Sequence, residues 1–325
     1  MTLGVVIPCY RQERFLPRTL AALDAALAGR EWRGVLVLSA QDSEAPLTMG
    51  ERWSVLRMAG APGARPLTPG AARNAGFAAC GGSWVLFVDA DVELERAWIE
   101  RACTQVAEGA TFAGTWGRIE EWFDADGRGS PGVPDLYRVG MHDADTRYTA
   151  TLSLYRRDAL EQVDGYDARL NSEEDFELGM RLRCAGFTLR TLAPLAARHW
   201  SAPRPSFGEY GRRWRSGLCF GPGQALRLYA GRRGFGELAR RNAHYFATLA
   251  LWFAAPAAFV LGGAQALGGW TILLTALFTL MTLRKRSARL ALHSFTTWTV
   301  MSVGTLVGFC RGGAAPASPV QKLAC

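Results

Sequence analysis

From Asn242 to Leu283 the chain runs 42 residues without a Lys, Arg, Asp or Glu, and from Leu290 to Cys310 it runs another 21. A helix that crosses a membrane needs roughly 20 apolar residues. The longer stretch therefore predicts two spans, 244–262 and 266–283, broken over "GGAQALGG" (262–269). The shorter predicts a third at 290–310. That third segment is rich in Ser and Thr, with His293 near its start, so it can also lie in the interface or pack on the other two. Pro256 falls inside the first span, a placement membrane helices tolerate.

Charge sets the expected orientation. Between Arg198 and Arg241 there are ten Arg against two acids, Glu209 and Glu237. "RKRSAR" (284–289) separates the second and third spans, and the turn between the first two carries no charge. The positive-inside rule puts both basic segments in the cytoplasm. The expected layout is a soluble domain over 1–200, a basic juxtamembrane segment over 201–241, a transmembrane region over 242–311 and a tail over 312–325. That describes a multi-pass inner-membrane protein with its N-terminal domain cytoplasmic. Buried helices of a soluble protein are the competing reading.

Lys plus Arg exceeds Asp plus Glu by 37 to 29, a formal charge of +8. This favours phosphates or an acidic membrane face. The charge gathers beside the spans and no aromatic-basic reading face accompanies it, which argues against nucleic acid. The seven cysteines are scattered, with no Cys-x-x-Cys spacing, and read as reduced thiols. "MTLGVVIPCY" has no basic start with a long apolar core and predicts no export leader.

Residues 1–200 have an α/β pattern. "GVVIP", "GVLVLSA" and "WVLFVDA" are short apolar runs suited to strands of a parallel sheet covered on both faces. In "ERFLPRTLAALDAAL", Phe15, Leu16, Leu20, Leu23 and Leu27 share a helical face. Strand, helix, strand in series implies an open sheet with right-handed crossovers. Such sheets bind ligands outside the carboxyl ends of their strands. "SWVLFVDADVEL" (83–94) drives a buried strand into Asp89 and Asp91 at such an end. Two carboxylates so close repel unless a cation relieves them, and hard oxygen donors suit Mg2+ or Mn2+. A solvated turn is the plainer alternative.

Three segments share a resemblance. "LGVVIPCYRQERFLPRTLAAL" (3–23), "PGAARNAGFAACGGSWVLFVDADVEL" (69–94) and "YRRDALEQVDGYDARLNSEEDFELGMRLRCAGF" (155–187) resemble, in order, segments of family 2 glycosyltransferases. The resemblance covers about residues 3–200. It implies the GT-A fold, a nucleotide-sugar donor and a divalent metal, Mg2+ or Mn2+. It implies that Pro8, Cys9 and Tyr10, with Glu13 close by, hold the nucleoside. It places Arg73 and Asn74 at the opening of a helix beside the diphosphate. Asp89 and Asp91 match the metal and ribose carboxylates. Asp175 matches the general base, with Glu174 beside it. The local alternative for "NSEED" is a helix start, with Asn171 or Ser172 as cap and acids complementing the dipole.

Two departures from the family pattern stand out. The family carries an Asp pair after the second strand; here Ser39 and Ala40 occupy those places, and Asp42 or Glu44 is the expected substitute. Processive members carry Gln-x-x-Arg-Trp; here Arg213 and Trp214 fit but Tyr210 stands at the Gln place. Arg213 and Trp214 are candidates for the diphosphate and acceptor, or for an interfacial anchor. His199 is a candidate for metal or diphosphate, or a packed residue.

The expectation is a metal-dependent, inverting glycosyltransferase at the cytoplasmic membrane face, in contact with membrane lipids. It moves a sugar from a nucleotide donor to a lipid-linked (polyprenyl) or saccharide acceptor in surface polysaccharide synthesis. A processive synthase and a catalytically inactive nucleotide-binding scaffold are the alternatives.

Overall fold

The computed structural model describes residues 2–10, 12–39, 49–58, 68–125, 128–201 and 208–313. They fall into two units, one within Met1–Pro203 and one within Arg204–Gly313.

The first unit begins with β1 (Leu3–Cys9), α1 (Leu16–Ala26), β2 (Trp32–Ser39), β3 (Trp53–Met58), α2 (Pro69–Ala79) and β4 (Trp84–Val88). These strands run parallel in the order β3-β2-β1-β4. β1 and β4 are buried almost throughout, as strands covered on both faces must be. The side-chain period of two sorts them into two layers. Val5, Ile7, Leu86 and Val88 pack with Leu16 and Leu23 of α1. Val6, Val85 and Phe87 point the other way, into a layer with Tyr155, Tyr166 and Leu178.

The sheet then departs from the all-parallel expectation. After β5 (Val92–Leu94) and α3 (Arg96–Ala107) come β6 (Gly114–Ala125), β7 (Arg128–Pro131), β8 (Ala144–Thr146) and β9 (Leu152–Arg156). β9 pairs antiparallel with both β4 and β6. No helix lies between β8 and β9, so no crossover forces a parallel entry. After α4 (Arg157–Gln162) and α5 (Glu174–Cys184), β10 (Leu189–Ser201) runs parallel to β6 and antiparallel to β5. The result is a mixed sheet of the GT-A kind. The carboxyl ends of β1, β2 and β4 share one edge of it.

The second unit is helical. Residues expected as a plain basic segment form α6 (Gly208–Ser216), α7 (Gly221–Leu228) and α8 (Phe235–Arg241). α9 (Ala243–Lys285) and α10 (Ala288–Arg311) are both long and apolar enough to cross a membrane. The break expected over 262–269 contracts to Gly263, at φ 60°, ψ −151°. That region is essentially open to glycine alone. The two arms of α9 fold back there, and Trp270 Nε1 donates to the Leu251 carbonyl at 2.8 Å.

Candidate active site

The segment after β4 is held from three sides. The Asp89 N–H donates to the Thr151 carbonyl at 3.1 Å. Thr19 Oγ1 donates to the Ala90 carbonyl at 2.8 Å. The Trp200 N–H donates to the Asp91 carbonyl, also at 2.8 Å. This backbone turns Asp89 and Asp91 toward different partners. Asp89 Oδ1 accepts from Arg73 Nη2 at 2.8 Å. Asp91 Oδ2 accepts from Gln12 Nε2, and its Oδ1 lies 3.5 Å from His199 Nε2. The pairing of β10 with β5 sets His199 opposite Val92 and so beside Asp91. Each acid thus has its own protein partner: Arg73 for Asp89, and Gln12 with His199 for Asp91.

Arg73 is the hub. Thr68 caps α2, accepting from the Ala71 N–H, so the helix opens at Pro69 and Arg73 and Asn74 sit in its second turn. Gly76 lets α2 approach the sheet, since a Cβ there would run into Val6. Arg73 is 4 % exposed. Its Nη1 donates to Glu174 Oε1 at 2.6 Å and lies 3.8 Å from Asp175 Oδ1. Burial opposes its charge, but Asp175, Asp89 and Glu174 outweigh burial and raise its pKa well above normal. A guanidinium can serve three carboxylates at once because its donors spread in a rigid fork.

The start of α5 differs from the expected cap. The N-cap is Glu173, at φ +71° and without a side-chain cap bond, not Asn171 or Ser172. Glu174, Asp175 and Glu177 fill the first turn and complement the helix dipole. A non-glycine residue in left-handed backbone is strained, and such strain gathers at functional sites. Among the described residues, Asp175 Oδ1 is buried and makes no hydrogen bond. Burial pushes the Asp175 carboxyl up to about 8; Arg73 opposes this, while Glu174, Asp89 and Glu173 add to it.

Could a divalent ion sit here? Among the described residues no three His, Cys, Asp or Glu side chains group as a metal cage. Mg2+ and Mn2+ sites at phosphates need no cage; one or two protein donors plus substrate oxygens suffice. Asp91 with His199 meets that requirement.

Comparison with known proteins settles the family of this unit. Residues 4–164 match the family described as Glycosyl transferase family 2. The N-terminal unit carries a family 2 glycosyltransferase domain. The pre-mycofactocin glycosyltransferase of Mycobacterium tuberculosis is 28 % identical over 137 residues, covering 38 % of this chain and 28 % of that protein. This chain thus spans little over a quarter of that relative's length. Among solved structures, the mannosyltransferase PcManGT from Pyrobaculum calidifontis, in complex with GDP-Man and Mn2+, aligns at a TM-score of 0.56 and 18 % identity. It covers 95 % of this chain and 86 % of that one. S. aureus TarS 1–349 with UDP-GlcNAc aligns at 0.50 and 16 %, covering 96 % and 92 %. At these identities the likeness is one of fold.

The other family 2 positions fall as follows. Pro8 and Tyr10 are half-buried at the end of β1, Cys9 between them is buried, and Glu13 is half-buried just before α1. Ser39 is buried at the end of β2. Ala40, Asp42 and Glu44 lie outside the described residues. Asn74 bonds the backbone of Tyr166: its amide donates to the Tyr166 carbonyl and accepts the Tyr166 N–H, both at 2.8 Å. It ties α2 to the segment before α5. Arg213 and Trp214 belong to α6 in the second unit, where Arg213 pairs with Glu209 at 2.9 Å and Trp214 packs on Phe220.

Three residues join the site without a sequence signal. Gln12 holds Asp91. Tyr137 Oη lies 2.6 Å from Thr151 Oγ1. Thr151, at φ +31°, is a strained β-branched residue whose carbonyl holds Asp89. Burial raises the Tyr137 pKa, with Asp89, Asp175 and Asp91 adding, so the phenol stays neutral.

Proposed function

We propose that this chain is a membrane-bound glycosyltransferase that moves a sugar from a nucleotide-sugar donor to an acceptor hydroxyl in one displacement. The observation that carries this reading is the buried Arg73, which joins Asp89 at the end of β4 to Glu174 and Asp175 at the start of α5. A carboxylate that could bind donor or metal and a carboxylate that could act as base thus share one support.

In this reading Asp175 accepts the proton of the acceptor hydroxyl as that oxygen attacks the anomeric carbon. The bond from that carbon to the diphosphate oxygen breaks, and its electron pair leaves with the diphosphate. Attack opposite the leaving group inverts the anomeric centre. A divalent ion, Mg2+ or Mn2+, would neutralise charge on the departing diphosphate. Asp91 and His199 would hold it. Arg73 keeps Asp89 and Asp175 in place, and the first turn of α5 aims Asp175 into the site.

The apolar helices support a membrane-attached acceptor, a polyprenyl-linked sugar whose tail stays in the bilayer. The basic flanks of α9 support a cytoplasmic site in the inner membrane, with more than one crossing. The test is transfer of labelled sugar by membranes that contain the full chain, across a panel of UDP- and GDP-sugars with and without Mn2+. Metal-dependent transfer that disappears in Asp91→Ala supports the proposal. The absence of both transfer and nucleotide binding across the panel contradicts it.

A further inference from the structure

The chain after β7 runs back along β6 and is fixed there. The Gly132 N–H donates to the Glu121 carbonyl at 2.7 Å, the Glu121 N–H to the Val133 carbonyl at 2.8 Å and the Leu136 N–H to the Ile119 carbonyl at 2.9 Å. Asp135 closes the next turn, its two oxygens accepting from the Val139 and Gly140 N–H groups at 3.0 and 2.8 Å. Tyr137 sits inside that turn. Its ring meets the buried Trp116 edge-on, with centroids 5.4 Å apart. Trp116 packs on Tyr148, and Tyr148 on Phe176, each at 5.5 Å. This aromatic row ends beside Asp175, since Phe176 is the next residue along.

The hydroxyl of Tyr137 leads to Asp89. Its Oη lies 2.6 Å from Thr151 Oγ1, and the Thr151 carbonyl accepts from the Asp89 N–H at 3.1 Å. Thr151 is held at φ +31°, a backbone that a β-branched residue adopts only under constraint. Strain of this kind gathers at ligand clamps. The charges of Asp89, Asp175 and Asp91 all reach the Tyr137 phenol and help keep its proton on.

Two hydroxyls carry two hydrogens, and the bond between them uses one. Among the described residues neither hydroxyl has a second hydrogen-bond partner. One hydrogen therefore stays available to a bound molecule, together with lone pairs on both oxygens. Thr151 is buried and Tyr137 half-buried, a setting in which an unmatched donor costs free energy until a ligand pairs it. The pair both donates and accepts, as a sugar hydroxyl does. A phosphate oxygen only accepts, and carboxylates nearby repel it. A neutral ring rich in hydroxyls fits this place better than a diphosphate.

We infer that Tyr137 and Thr151 read one hydroxyl of the donor's transferred sugar, and so help set which sugar nucleotide the protein takes. This rests on the glycosyltransferase reading above. In that reading the sugar lies between the donor side, at Asp89, and the base, Asp175. The pair is tied to both: to Asp89 through the Thr151 carbonyl, and to the start of α5 through the aromatic row. A sugar without a hydroxyl at that place leaves the pair's hydrogen unmatched and binds more weakly.

The experiment is calorimetric titration of the purified full chain, with Mn2+ present, using UDP, GDP, UDP-glucose, UDP-galactose, UDP-GlcNAc and GDP-mannose. Tyr137→Phe keeps the ring against Trp116 and removes its hydroxyl. Thr151→Val keeps the side-chain shape and removes the other hydroxyl. The expected result in both variants is wild-type affinity for the bare nucleotide. The sugar nucleotide that the wild type prefers binds about five- to tenfold more weakly, the worth of one hydrogen bond. Equal weakening of bare nucleotide and sugar nucleotide in both variants marks a structural role and overturns the inference. Unchanged binding of the sugar nucleotides in both variants also overturns it and leaves the glycosyltransferase reading standing. A wild type that binds none of these nucleotides overturns that reading and the inference with it.

Discussion

Arg73 Nη1 and Glu174 Oε1 lie 2.6 Å apart across 101 residues of chain, both almost fully buried. This pair ties the second turn of α2 to the first residue of α5, and Asp175 is the next residue along. Two changes at Arg73 test what the contact does.

Arg73→Met strands Glu174 as a buried, uncompensated charge. Breaking a buried pair from one side costs about 3–5 kcal/mol. A thermal melt of the variant against wild type reads the loss. Arg73→Lys supplies one point charge where a fork served three acids, and recovers less than half of it. Equal melting of Arg73→Met and wild type would remove Arg73 as the hub.

As the proposed base, Asp175 should make activity depend on pH. Its proton stays on up to about 8, because burial disfavours the charge. A base must be ionised to accept a proton, so kcat/KM rises with pH and levels off above about 8. A profile already flat from pH 5 would show that another group takes the proton.

The same shift costs stability, with a definite sign. The folded pKa lies above the unfolded value of about 4. Between those values the unfolded state has lost the proton and the native state keeps it, so stability falls as pH rises from about 4 to 8 and is then level. Asp175→Asn has no such dependence. It therefore melts higher than wild type at pH 8, by about 1 kcal/mol or more. The difference closes toward pH 4, and melts at both pH values measure it.

In the proposed reading Asp91 and His199 hold the metal. Asp91→Ala weakens Mn2+ binding in the presence of UDP or GDP by about tenfold or more, and His199→Gln weakens it less. Titration followed by Mn2+ electron paramagnetic resonance measures this without turnover. Unchanged binding in Asp91→Ala would move the metal elsewhere.

How much of this was legible beforehand depends on whether a feature is local. β1, β2 and β4 announce themselves as unbroken apolar runs, because both of their faces are covered. β6 does not: Arg118 and Glu120 alternate with Ile119 and Glu121, which hides a strand of the same sheet. Asp89, Asp91, Arg73, Glu174 and Asp175 stand out through their resemblance to family segments, and Arg73 then gathers three of the acids. Gln12, Tyr137 and Thr151 have no local pattern. They reach the site through a loop after β1, a loop after β7 and one strained backbone residue. Asn74 sits in the matched motif yet faces Tyr166, a choice made by tertiary packing. In the second unit the uncharged lengths were plain. That α7 and the turn before it pack on α10 was not, because it depends on Gly304 and Gly308 admitting the backbone of Cys219 and Phe220.

The most direct measurement compares Asp175→Asn with wild type for nucleotide binding and for labelled sugar transfer at saturating donor. The account predicts binding like that of wild type and transfer slowed by about 10²–10⁴-fold, the usual worth of a general base. Transfer at the wild-type rate would contradict it.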